Sequence, residues 1–171
     1  MGGHAPAPLL VTSLLLLAAC SGPAGPSADG AAATADGAAT VVEVVDGDTI
    51  EVEVAGSTER VRLLGVDTPE TVDPDEPVGC FGPEASARTH ELLPPGTGVL
   101  LERDEEARDR YGRLLAYVRR ADDGLFVNEL LLREGLAESL LIEPNHAYAT
   151  QLLAAQDEAQ QAGTGLWTAC G

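Results

Sequence analysis

The sequence contains no lysine: its ten basic residues are all arginine, against 28 Asp plus Glu, and the formal charge is −18. That charge repels polyanions at long range and argues against a nucleic-acid partner held by a broad basic face. The repulsion fades in salt, where the Debye length falls to about 3 Å at 1 M, so an acidic, lysine-free surface suits a salty exterior. Aromatic residues are scarce, 4% against 44% apolar residues overall, which leaves Leu, Val and Ala to build the core. A long hydrophobic run is missing too: Leu9 to Ala19 falls short of the about 20 residues that span a bilayer. With 171 residues there is room for one packed domain and a tail.

Leu9 to Ala19, bounded by Pro8 and Cys20, reads as the core of a signal peptide. Leu17-Ala18-Ala19-Cys20 resembles the bacterial lipoprotein signal, although the first eight residues hold no Lys or Arg. The resemblance implies a signal peptide over residues 1–20, cleavage before Cys20 and lipid on that cysteine. The chain would then be exported and anchored to the cell membrane facing outside, or secreted where Cys20 is not lipidated. Ser21 to Thr40 has no large apolar residue, so it cannot offset its ordering entropy and reads as a disordered tether. The domain is expected over 41–171. Three cysteines fit export: with Cys20 lipidated, Cys80 and Cys170 remain as a pair, the alternative being two free thiols.

The densest chemistry lies in Arg62 to Glu70, Arg-Leu-Leu-Gly-Val-Asp-Thr-Pro-Glu. Asp67 and Glu70 are hard oxygen donors or bases, Arg62 is a planar anion clamp and Pro69 stiffens the turn between the acids. The same letters also describe a strand followed by a type I turn. Parity poses a question, because residues five apart on an unbroken strand face opposite ways, and Gly65 is where a bulge could re-aim Arg62 or Asp67.

Val41 to Val54 alternates around Asp46-Gly47-Asp48, as two strands joined by an Asp-Gly turn would, the alternative being that Asp46 and Asp48 project toward a metal. Val61 to Val66, Val99 to Glu102 and Leu114 to Arg119 read as further strands. Helices are expected after Pro83, over Phe126 to Arg133 before Gly135, and from about Asn145 to Ala162. Thr71 to Gly82 is irregular and acidic, with Asp73, Asp75 and Glu76 and no cation.

Asp46-Gly47-Asp48-Thr49, Arg62 to Glu70, Phe81-Gly82-Pro83-Glu84-Ala85, Asp109-Arg110-Tyr111-Gly112-Arg113 and Val127-Asn128-Glu129 together resemble the staphylococcal nuclease family in order and spacing. The resemblance implies an α+β fold, a five-stranded OB barrel with three helices. It also implies calcium-dependent hydrolysis of DNA and RNA to 3′-phosphates by a monomer. Asp48 and Asp67 match the calcium carboxylates, Thr68 the carbonyl ligand, and Asp46 sits behind them. Arg62 and Arg113 match the clamps on the scissile phosphate, Glu70 the group that positions or deprotonates water, and Arg110 and Tyr111 the contacts to a terminal phosphate. Where the family stacks tyrosines on the base, this chain has Leu140, Leu141 and Ile142, leaving Phe81 or Tyr148 as substitutes. These losses and the acidity keep a second reading open, a non-catalytic OB module binding nucleic acid or protein at the cell surface.

Overall fold

The computed structural model describes residues 1–3, 35–72, 74–75 and 77–170. The chain divides into Met1–Ala31 and Ala32–Gly171. Residues 1–3 of the first unit are exposed and irregular; the rest of the expected signal peptide, Cys20 and the tether as far as residue 34 lie outside the described residues. No described helix is long and apolar enough to cross a membrane.

In the second unit, strands β1 (Ala35–Asp46), β2 (Thr49–Val54), β3 (Ser57–Leu63), β4 (Gly98–Glu102) and β5 (Leu114–Arg120) form a closed barrel in the order β1-β2-β3-β5-β4. Closure leaves no strand edge to template aggregation. All neighbours are antiparallel except β3 and β5, where Val61 meets Leu114. Period-two alternation drives the inward face: Ile50, Val52, Val61 and Leu63 are fully buried, with Val99, Leu115 and Val118 opposite. The barrel is the expected OB fold.

Residues 35–40, expected in the tether, belong instead to β1. Ala38, Ala39 and Thr40 pair with Leu100, Val99 and Gly98 of β4. Small residues show no apolar alternation, so they were illegible; the unpaired side of β4 orders them. Strand β3 stops at Leu63, short of the expected Val66, because a turn at Leu64-Gly65 breaks it. Asn128 secures that break, donating to the Leu64 carbonyl at 2.8 Å and accepting from Val118 N–H at 2.8 Å.

Helices α1 (Gly82–Leu92), α2 (Val127–Arg133) and α3 (Ala149–Ala162) are the three expected, joined by a single turn, α4 (Leu166–Ala169). Pro83 and Glu84 occupy the first turn of α1, and Gly135 and Gly163 end α2 and α3 with positive φ. Helix α3 begins four residues later than the sequence suggests. Asn145 is held outside it, its side-chain oxygen accepting from Glu106 N–H at 2.9 Å. Cys80 and Cys170 form the disulfide, tying the loop before α1 to the C-terminal turn.

Candidate functional site

Strands β1 and β2 are joined by the two-residue turn Gly47-Asp48, with Asp46 opposite Thr49. The expected Asp-Gly hairpin is therefore present. A Cβ on Gly47 would lie 2.6 Å from the Thr68 hydroxyl, so only glycine lets residues 47 and 68 approach. Across that contact Thr68 N–H and its hydroxyl donate to Asp48 Oδ2 at 3.0 and 3.2 Å. Thr49 Oγ1 donates to Asp48 Oδ1 at 2.9 Å.

The parity question is settled by a turn. Gly65 has φ +77° and lies under Leu152, whose Cδ1 would be 2.2 Å from a Cβ there, so the chain reverses where a side chain has neither backbone freedom nor space. Asp67 then returns beside Arg62. Its Oδ1 accepts from Arg62 Nη2 at 2.7 Å, and Asp48 Oδ2 lies 3.2 Å from the same nitrogen. Arg62 Nη1 donates to the carbonyls of Leu63 and Val66 at 3.0 and 2.5 Å. Arg62 is only 6% exposed, so this cation is built into the end of the barrel.

One cavity of about 340 Å³ is lined by Asp46, Asp48, Arg62, Asp67, Thr68, Glu70 and Arg113, together with Thr49, Arg60, Val45 and Val72. It thus gathers every expected catalytic and metal residue. Arg113 is held by Asp109, which accepts from Arg113 Nε at 2.7 Å and from the Arg113 and Tyr111 N–H groups at 3.0 and 2.9 Å. Tyr111 is 69% exposed, and the Arg110 guanidinium lies 4.7 Å from its ring centre. Tyr111 lines an adjoining cavity of about 680 Å³ with Arg60, Glu70, Gly112 and Arg113. Arg110 lines neither cavity and acts on Tyr111.

Phe81 and Tyr148, the expected substitutes for stacking tyrosines, line neither of these two cavities. Phe81 lines a separate groove beside α1 with Glu84 and Arg88. Tyr148 packs edge-on against Tyr117 and Phe126, ring centres 4.7 and 5.1 Å away, and donates its hydroxyl to Glu102. Both serve packing because burying scarce aromatic area outweighs leaving it exposed.

Thr71 carried no sequence signal and links two acids. Its hydroxyl donates to Asp46 Oδ1 at 2.5 Å, and its N–H donates to Glu70 Oε1 at 2.8 Å, alongside Val72 N–H at 2.7 Å. Burial pushes the Asp46 carboxyl up, the Thr71 and Gly47 bonds oppose, and the charges of Glu70 and Asp48 add to the rise. Partial burial likewise pushes Asp67 up against the pull of Arg62. In Asp109 burial is outweighed by the Arg113 and Tyr111 bonds, and its carboxyl sits below the usual range.

Among the described residues no three or more His, Cys, Asp or Glu side chains group to hold a metal by themselves. The donors present do fit a hard cation. Asp48 and Asp67 converge on one nitrogen of Arg62, so both carboxylates already meet one positive charge, and every donor is oxygen. Substrate or water oxygens would have to complete the shell.

Fold and site together define an OB-fold protein that gathers acids and guanidinium groups in one cavity at the end of its barrel. The chain belongs to the staphylococcal nuclease family: the family model described as "Staphylococcal nuclease homologue" matches residues 60–169. It is 43% identical over 128 residues to the thermonuclease of Staphylococcus hyicus, covering 75% of this chain and 74% of that protein. To the thermonuclease of Staphylococcus intermedius it is 46% identical over 127 residues, 74% of each. To the SPbeta prophage-derived endonuclease YokF of Bacillus subtilis (strain 168) it is 44% identical over 131 residues, 75% of this chain and 43% of that protein.

Proposed function

We propose that this chain is a calcium-dependent nuclease that hydrolyses phosphodiester bonds of DNA or RNA and leaves 3′-phosphates. The observation that carries the reading is the convergence of Asp48 and Asp67 on Arg62 Nη2, with Glu70 and Arg113 lining the same cavity. Asp48, Asp67 and the Thr68 carbonyl would hold the ion, with Asp46 braced behind by Thr71. Bound calcium supplies Lewis-acid stabilisation of charge on a phosphoryl oxygen.

The protein's own groups do the rest. Arg113, together with Arg62 through donors that in this structure face Asp48 and Asp67, would hold the scissile phosphate by charge-assisted hydrogen bonds that strengthen as negative charge gathers on its equatorial oxygens. Asp109 keeps the Arg113 fork aimed. The N–H groups of Thr71 and Val72 orient the Glu70 carboxylate as acceptor for a proton of the attacking water. The disulfide supports folding in an oxidising compartment, and with it the exported reading; lipid on Cys20 remains part of the proposal on its sequence alone.

Purified protein incubated with single-stranded DNA or RNA should release fragments in calcium and none in chelator, and phosphatase should remove phosphate from their 3′ ends. Binding without fragments in either condition would instead support the non-catalytic OB module. Fragments with 5′-phosphates would refute the product assignment.

A further inference from the structure

Arg60 precedes Arg62 by two residues on β3, so the strand repeat of about 3.3 Å per residue sets the two on one face, roughly 6.6 Å apart along the strand. Arg60 lines both the acid cavity and the adjoining cavity that runs to Tyr111; only Glu70 and Arg113 share that property. The two cavities are thus consecutive stations on one path, with a guanidinium at each.

Its cross-strand partner on β2 is Glu51. Arg60 Nε and Nη2 both donate to Glu51 Oε1, at 3.2 and 2.8 Å, which fixes the plane of the fork. Nη1 makes no hydrogen bond among the described residues, and the side chain is 52% exposed. Other arginines are committed away from this path, Arg88 to Glu134, Arg108 to Glu59, Arg120 to Asp122 and Arg133 to Glu129. In a chain of charge −18, a braced guanidinium with a donor still open beside a phosphate site is the sparse resource a polyanion needs.

We infer that Arg60 is a second phosphate-binding residue, which grips the phosphodiester next to the scissile one as a single strand runs through the adjoining cavity. The inference rests on the nuclease reading above. Each added nucleotide offers the same charged linkage whatever its base, so the grip favours strands with several phosphates over a single diester without reading sequence. Base stacking given up at Leu140 to Ile142 is thereby replaced by a contact to the backbone.

The test compares kcat/KM on a single-stranded oligonucleotide with kcat/KM on a nucleoside aryl phosphodiester, which has one phosphodiester only. Arg60→Ala should lower the ratio of the first to the second about tenfold, through a higher KM for the oligonucleotide, and Arg60→Lys should restore part of it. Glu51→Gln, which removes the negative charge of the same cross-strand pair but keeps the guanidinium, should hold or raise that ratio. An unchanged ratio in Arg60→Ala, or an equal fall in Glu51→Gln, would mean the pair is structural and overturn the inference. Wild-type protein that cleaves neither substrate in calcium would refute the nuclease reading itself, and the inference with it.

Discussion

Replacing Arg62 with alanine removes four contacts at once: hydrogen bonds to the carbonyls of Leu63 and Val66 and ion pairs to Asp48 and Asp67. At 6% exposure Arg62 is buried, so its loss reaches folding as well as turnover. Breaking a buried pair by deleting one partner costs about 3–5 kcal/mol. The low end applies here, because the Asp67 side chain is 54% exposed and water can solvate it once the guanidinium is gone, while the buried Asp48 keeps its hydrogen bonds from Thr49 and Thr68. About 3 kcal/mol should lower the melting temperature by about 10 °C in a domain of this size. Among the described residues Arg113 pairs with Asp109, within its own loop, so Arg113→Ala should cost about 1 kcal/mol or less. Turnover should fall in both variants by about two to four powers of ten, since each loses charge stabilisation in the transition state. Thermal unfolding and single-strand cleavage across the three proteins separate the roles: two inactive variants, only one of them unstable. An Arg62→Ala protein that melts with the wild type, or turns over near its rate, would refute the reasoning.

Gly65→Ala forces a Cβ onto Leu152 at positive φ, and urea unfolding should show a loss of at least about 2 kcal/mol together with reduced cleavage as Asp67 shifts. The Cys80–Cys170 bridge closes a 90-residue separation, worth up to about 4.5 kcal/mol in the chain-entropy model, so Cys170→Ser should lower the denaturation midpoint, and reductant should do the same to the wild type alone. Asp109 titrates below its unfolded value, so its stabilising effect is present above about pH 4 and vanishes as pH falls through the folded value. Unfolding curves of wild type and Asp109→Asn should therefore differ at pH 6 and converge in acid; a constant gap would contradict this. With two direct carboxylate ligands, free protein should bind calcium weakly, and calorimetry showing submicromolar affinity would overturn the ligand set.

Alternating Val and Ile, the turn residues and the helix stops were enough to place the strands and three helices, because hydrophobic period and Gly or Pro punctuation are local properties. Residue type alone likewise marked Arg62, Asp67 and Glu70 as one cluster and left Asp48 between turn and metal, whereas Arg113 stood out only through the resemblance to the staphylococcal nuclease family. Tertiary structure decided what those letters could not: that Ala35 to Thr40 form strand, because β4 needed a partner, and that Asn145 stays outside α3, because Glu106 claims its side chain. It also brought Asp67 back to Arg62 through the Gly65 turn, inserted Thr71 between Asp46 and Glu70, and laid Arg60 across two cavities. Each of those outcomes joins groups that period and propensity treat separately; barrel closure brings them within hydrogen-bond reach, and no local pattern carries that distance.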